Sequence, residues 1–346
     1  DEKGKPKKKW LKEFAKDIKN LIKQKKQIVI VSSGAIAIGC EYLGIKKNGL
    51  KVDKSQAIAS IGQIELMDFY KNTFNKNKIK ISQILLTLDD TEQRRRSLNA
   101  RRTIDNLLEM NIIPIVNEND TTATTEIKYG DNDRLAARVA QIIGADTLII
   151  FSDVDGFYDN STKNKNLIKE IKKIDKKIYS LANKKINTYG SGGMITKLEA
   201  AKICMNSGCR MYIANGQNLN PLRKMLKDKI YTSFIPKIST LDARKKWIIS
   251  SLSSSAKIFI DAGAAKALLN GKSLLPAGIM KVIGDFKKGE NILIVDENGI
   301  DLARGLSSFS SVEINKIKGL QSNQIENVLG YSSKSEIVHK DDMVKI

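Results

Sequence analysis

Residues 117–133 read Asn117-Glu-Asn-Asp-Thr-Thr-Ala-Thr-Thr-Glu-Ile-Lys-Tyr-Gly-Asp-Asn-Asp133. The run before them, Ile112-Ile-Pro-Ile-Val116, is short and apolar, as a buried strand is. The run after them, Arg134 to Ile143, repeats its apolar residues at helical spacing. A polar loop rich in carboxylates and amides therefore joins a strand end to a helix start. In open α/β sheets, ligands bind at that place. Asp120, Asn132 and Asp133 can grip an ammonium, a carboxylate or a metal. A solvated loop in which Asp131 caps the helix is the other reading.

Outward from this loop the strand–helix alternation continues. Upstream, Trp10, Leu11, Phe14, Ile18, Leu21 and Ile22 form one apolar helical stripe. Gln27–Val31 reads as a strand, Ser32-Ser33-Gly34-Ala35 as a strand-to-helix turn, and Ala35–Leu43 as helix. Such a turn lets a ligand approach backbone N–H groups. Helices are expected at 54–75 and 91–110, with a strand at Ile79–Thr87. Arg94, Arg95, Arg96, Arg101 and Arg102 suit a solvated face or a subunit contact. Downstream, Asp146–Phe151 reads as a strand that releases Ser152, Asp153 and Asp155, which suits Mg²⁺ or ribose contact or a simple Asx-turn. Gly190-Ser191-Gly192-Gly193-Met194-Ile195-Thr196-Lys197 then feeds a helix, as a phosphate cradle does. It is neither a Walker A motif nor Gly-x-Gly-x-x-Gly, because Ile195 takes the last Gly position. Arg210–Ala214 is a further strand. The expected fold is α/β, three-layer, with a mainly parallel sheet covered on both faces.

From about residue 245 the pattern changes to short alternating strands at 257–261, 278–283, 291–295 and 300–306, with a helix at Ala262–Leu269 and a tight hairpin at Asp296-Glu-Asn-Gly299. A small C-terminal β-barrel is expected. The domain expectation is 1–240, a linker at 241–255, and 256–346.

Composition narrows the chemistry. The 346 residues suffice for two domains, and no apolar run reaches the length of a membrane span. The net charge of +21 comes from 59 basic and 38 acidic residues. Lysine is spread through both halves, which favours compositional drift over a clustered nucleic-acid footprint. Cys40, Cys204 and Cys209 lack metal-binding spacing and point to a reducing cytoplasm. With His339 as the single histidine, Ser-His-Asp, Cys-His and histidine–zinc machinery are excluded. Chemistry must run on Lys, Asp, Asn, backbone amides and Mg²⁺, and no residue is assigned as a metal ligand.

Three motifs in chain order carry a family resemblance: Val29-Ile-Val-Ser-Ser-Gly-Ala-Ile-Ala-Ile-Gly39, the 117–133 loop, and Gly190–Lys197. Together they resemble the glutamate 5-kinase family of the amino acid kinase superfamily. Asp261-Ala-Gly-Ala-Ala265, Ser273-Leu-Leu-Pro-Ala-Gly278 and Val338-His-Lys-Asp-Asp-Met343 resemble the PUA domain that bacterial members carry. The resemblance implies glutamate binding by Ser33, Asp120 and Asn132. It implies ATP binding by Ser152, Asp153 and residues Ser191, Gly192, Gly193, Met194, Ile195, Thr196 and Lys197. Lys197 would stabilise the transferring phosphoryl group, and Asp133 would orient catalytic lysines. Implied too are Mg²⁺, inhibition by proline at an overlapping site, a dimer or tetramer, and contact with glutamyl phosphate reductase. The family begins with a strand carrying a catalytic Lys and a Gly-Ser/Thr phosphate loop. Asp1-Glu2-Lys3-Gly4 resembles the stretch directly after that segment in the family, so the segment is expected upstream. RNA binding, suggested by PUA modules elsewhere and by the basic charge, is the rival expectation. A degenerate, non-catalytic amino-acid sensor is a third.

Overall fold

The computed structural model describes residues 7–46, 49–123, 132–159, 166–183, 193–243, 256–331 and 334–346. The chain divides into two compact units, Asp1–Thr240 and Leu241–Ile346.

In the first unit, helix α1 (Lys8–Lys23) precedes strand β1 (Ile30–Val31), α2 (Ala35–Leu43) and α3 (Val52–Asn75). Then come β2 (Ile81–Leu86), α4 (Leu88–Glu92), α5 (Arg94–Glu109) and β3 (Ile113–Glu118). β1, β3 and β2 lie side by side in that order, all parallel. The expected strand from Gln27 contracts to two residues, because only Ile30 and Val31 find partners, Ile115 and Val116. The single helix expected at 91–110 is broken at Gln93. Thr87 caps α4 through a reciprocal Thr87–Asp90 box, and Gln93 is extended before α5 starts. Arg96 pairs with Asp90 at 2.9 Å and Arg101 with Asp105 at 3.2 Å, so part of the arginine run serves its own neighbourhood.

After the central loop come α6 (Asn132–Ile143), β4 (Thr147–Ser152), a two-strand ribbon of β5 (Tyr158–Asp159) and β6 (Asn166–Leu167), β7 (Glu170–Ile171) and α7 (Lys176–Asn183). α8 (Met194–Asn206), β8 (Arg210–Asn215), α9 (Pro221–Asp228) and β9 (Thr232–Phe234) complete the unit. β4 and β8 pair in parallel, and the sheet continues to β9 and β7 with one antiparallel step, β8 to β9. Buried apolar side chains fill both sides, as a strand covered on two faces requires. Ile115 and Val116 are fully buried, and so are Met211, Ile213 and Leu198. α1 ties the two sheets: Phe14 meets Phe151 edge to face, and Trp10 Nε1 donates to the Gly216 carbonyl at 2.6 Å.

The second unit has a five-stranded sheet in the order β11 (Ile279–Ile283), β10 (Lys257–Ile260), β12 (Asn291–Val295), β13 (Asp301–Leu306), β14 (Met343–Lys345). Helices α10 (Ala262–Leu269), α11 (Ser311–Ile317) and α12 (Ile325–Leu329) accompany it. The expected hairpin forms: Asp296 Oδ1 accepts from the Asn298 and Ile300 amides, and Gly299 takes φ +86°. The Leu274 amide donates to the Val338 carbonyl at 2.8 Å, so the motifs at Ser273–Gly278 and Val338–Met343 meet in space. The Ser310–Glu313 capping box that starts α11 and the last strand, β14, were not expected.

Candidate active site

Two helices, α2 and α6, start where parallel strands end, a third, α8, starts beside α6, and each brings functional side chains. β1 ends at Val31 and leads through Ser32, Ser33 and Gly34 into α2. Gly34 caps α2 with φ +103°, a left-handed conformation that a Cβ would strain. Ser33 is exposed at this turn, while Ser32 is buried and its Oγ donates to the Tyr70 hydroxyl at 3.1 Å. The first-turn amides of α2 have no intrahelical partners and favour an anionic group.

β3 ends at Glu118, and Asn119 to Ala123 continue the loop. The Asn119 amide donates to Leu86 O, and the Ala123 amide donates to Asn119 O, so the chain turns tightly. Asp120 sits half-buried there, and burial pushes its carboxyl up from the ordinary carboxylate range. Residues 124–131, including Asp131 with its expected capping role, lie outside the described residues. α6 then opens with Asn132 and Asp133 in its first turn, where a carboxylate is favoured by the helix dipole. The Asn132 Oδ1 is buried and meets no partner among the described residues.

α8 opens with Gly193 as its N-terminal cap, followed by Met194, Ile195, Thr196 and Lys197. Ser191 and Gly192 lie outside the described residues. Lys197 Nζ donates to Asp133 Oδ2 at 2.9 Å, and Thr196 Oγ1 lies 3.2 Å from the same oxygen and 2.7 Å from Gly193 O. Lys197 is 8% exposed, an uncommon burial for a lysine that this one carboxylate partner explains. The structure thus brings together two sequence-predicted residues 64 positions apart.

At the end of β4, Ser152 Oγ donates to Asp153 Oδ1 at 2.9 Å, and Asp153 is exposed. Asp155 is used differently. It accepts from Asn215 Nδ2 at 2.9 Å and from the Tyr158 hydroxyl at 3.2 Å, so it locks the β4 and β8 ends together. Only Asp153 of this pair is left facing solvent for a ligand.

A further polar stripe lies on α3. Gln56, Gln63 and Tyr70 recur every seven residues, about two helical turns, and so share a face. Gln56 Nε2 donates to Ala123 O at 2.9 Å, Gln63 Oε1 accepts from Asn117 Nδ2 at 2.7 Å, and Tyr70 accepts from Ser32. Burial pushes the Tyr70 phenol up. The heptad recurrence of polar residues within a half-apolar helix is the sequence signal for this stripe.

Among the described residues no group of three or more His, Cys, Asp or Glu side chains could hold a metal. The donors that the described residues offer therefore do not make a protein cage for a divalent cation. No described helix is long and apolar enough to cross a membrane.

The amino acid kinase family matches residues 1–215, and the PUA domain matches residues 256–329. The chain is 62% identical to the glutamate 5-kinase of Pelagibacter ubique (strain HTCC1062), over 100% of this chain and 95% of that protein. It is 43% identical to the glutamate 5-kinase of Paramagnetospirillum magneticum, over 99% of this chain and 94% of that protein. Against the glutamate 5-kinase of Agrobacterium fabrum identity is 45%, over 99% and 89%.

Proposed function

The chain belongs to the glutamate 5-kinase family of amino acid kinases, and on that premise we propose that it transfers the γ-phosphoryl group of ATP to the γ-carboxylate of L-glutamate. The products are L-glutamyl 5-phosphate and ADP, and the step opens proline biosynthesis. The observation that carries the reading is the buried Lys197–Asp133 pair, which joins the starts of α6 and α8.

The acceptor carboxylate is already ionised at neutral pH, so no general base is required. The residues therefore position the reactants and balance charge, which is how phosphoryl transfer is generally catalysed. Ser33, Asp120 and Asn132 hold glutamate. Ser152, Asp153, Ser191, Gly192, Gly193, Met194, Ile195 and Thr196 hold ATP, whose phosphates meet the first-turn amides of α8. Lys197 places its ammonium on the transferring oxygens, and Asp133, 2.9 Å away, keeps that ammonium aimed. Mg²⁺ carried by the nucleotide would supply further charge neutralisation at the phosphates.

The finer expectations rest on the same family. They are inhibition by proline at a site overlapping that for glutamate, a homo-dimer or tetramer, cytoplasmic location, and channelling of the labile product to glutamyl phosphate reductase. Residues 1–240 form the kinase domain, 241–255 the linker and 256–346 the PUA domain. RNA binding stays the rival reading, and it rests on the PUA match, since the lysines are spread through both halves.

The test is ADP release from MgATP by the full-length protein with and without L-glutamate, then with L-proline. Glutamate-dependent release that proline suppresses is expected. Absence of glutamate dependence, with steeply salt-dependent RNA affinity, would replace the kinase reading with RNA binding.

A further inference from the structure

Gln63 holds a buried, incompletely satisfied amide in the first unit. It is 8% exposed, and its Nε2 meets no partner among the described residues. A buried donor left unsatisfied is costly, and a leucine at this helical position would avoid that cost. What Gln63 does make is one short bond, from Asn117 Nδ2 to its own Oε1 at 2.7 Å. Asn117 is 2% exposed and is the next-to-last residue of β3, three positions before Asp120.

A primary amide presents a donor on one side and an acceptor on the other. Anchored to Gln63 through one Nδ2 hydrogen, the Asn117 amide is held in one orientation, and its Oδ1 keeps its full acceptor capacity. A carbonyl oxygen next to a carboxylate repels anions and receives an ammonium. The neighbouring contacts prevent the pair from drifting. Gln56 pins Ala123 on one side, and Tyr70 pins Ser32 on the other, all from the same helical stripe.

We infer that Gln63 is a positioning residue for substrate selection: it fixes the Asn117 amide so that Oδ1, together with Asp120, receives the α-ammonium of the amino-acid substrate. This rests on the kinase reading and names a determinant of its amino-acid specificity. Gln63 acts through Asn117 and touches neither the nucleotide nor the transferring phosphoryl group.

The experiment compares wild type, Gln63→Met and Gln63→Glu in the full-length protein. Methionine fills the space without an acceptor, and glutamate keeps an acceptor oxygen for Asn117. The readouts are kcat, the KM for L-glutamate and for ATP, and the inhibition constant of glutarate, a dicarboxylate with no ammonium. For Gln63→Met we expect the glutamate KM to rise about tenfold or more, with kcat, ATP KM and glutarate inhibition within about twofold of wild type. Gln63→Glu should restore the glutamate KM. An unchanged glutamate KM in folded Gln63→Met overturns the inference, and so does a parallel loss of glutarate binding, which marks a general collapse of the pocket. Should Gln63→Met not fold, Gln63→Glu carries the test, and a rise of about tenfold in its glutamate KM overturns the inference. If wild type itself shows no glutamate-dependent turnover, the kinase reading falls first, and the inference falls with it.

Discussion

Replacing Lys197 with methionine separates what the ion pair does for folding from what it does for chemistry. The two charges lie 2.9 Å apart, with side chains 10% and 17% exposed. At an effective dielectric constant near 20 their attraction is about 6 kcal/mol, and desolvation of both ions offsets most of it. Removing one partner leaves the Asp133 carboxylate uncompensated. That costs about 3–5 kcal/mol at full burial, and about 2–3 kcal/mol at this partial exposure. For a unit of this size the melting temperature should fall by about 5–10 °C. The catalytic loss is larger in effect. Deleting one preorganised group that stabilises transition-state charge lowers kcat by about 10²–10³, or roughly 3–4 kcal/mol. At 25 °C the variant should therefore be folded and nearly inactive, with glutamate KM little changed. Calorimetric melting and an ADP-release assay on the same preparation measure both effects. A kcat within about threefold of wild type, alongside a lowered melting temperature, would refute the catalytic role and leave Lys197 as a structural partner of Asp133.

Asp120→Asn should weaken glutamate binding yet stabilise the ligand-free protein at pH 7. The folded carboxyl is raised by burial, so the folded state binds more protons than the unfolded state as pH climbs through the ordinary aspartate range. Stability falls across that window and stays lower above it. The gain in melting temperature from the substitution should therefore shrink as pH is lowered toward 4, and a variant that melts lower than wild type at pH 7 contradicts this. Gly62→Ala tests the α2–α3 crossing, because a Cβ there would sit 1.9 Å from the Ala35 carbonyl, and a Cβ on Gly39 would meet Ile58 O at 2.3 Å from the other side. Overpacking should cost at least about 2 kcal/mol in urea unfolding, and an unchanged midpoint would show that the helices separate without strain.

Much of the first unit is legible in the sequence for a simple reason. Ile113–Val116 are buried throughout and Leu148–Phe151 are at least half-buried, so the apolar character of both runs is continuous and local. Helix Ala35–Leu43 matches expectation residue for residue, because Gly34 and Gly44 punctuate both ends. What pattern reading misses is partnership. Periodicity shows that Gln63 lies on a helix, but only the fold shows Asn117 opposite it. Asp153 and Asp155 look equivalent in sequence, and the difference arises because Asn215, 60 residues on, claims Asp155. The many lysines and asparagines of 159–187 mask α7, although Ile174, Ile178, Leu181 and Ala182 recur there at helical spacing. α11 is legible in principle, since Ser310-x-x-Glu313 is a capping-box signature. The pairing of Lys197 with Asp133 is reached only through family resemblance, as nothing in the spacing of two residues 64 apart predicts contact.

Phosphorylation at the γ-carboxylate is tested most directly by trapping the product. Hydroxylamine attacks the acyl carbon of glutamyl phosphate, expels inorganic phosphate and leaves γ-glutamyl hydroxamate. With full-length protein, MgATP, L-glutamate and hydroxylamine, the account predicts hydroxamate in step with ADP, one for one, and none when either substrate is omitted. ADP released without hydroxamate would show that the Lys197–Asp133 site hydrolyses ATP without phosphorylating glutamate, and would contradict the account.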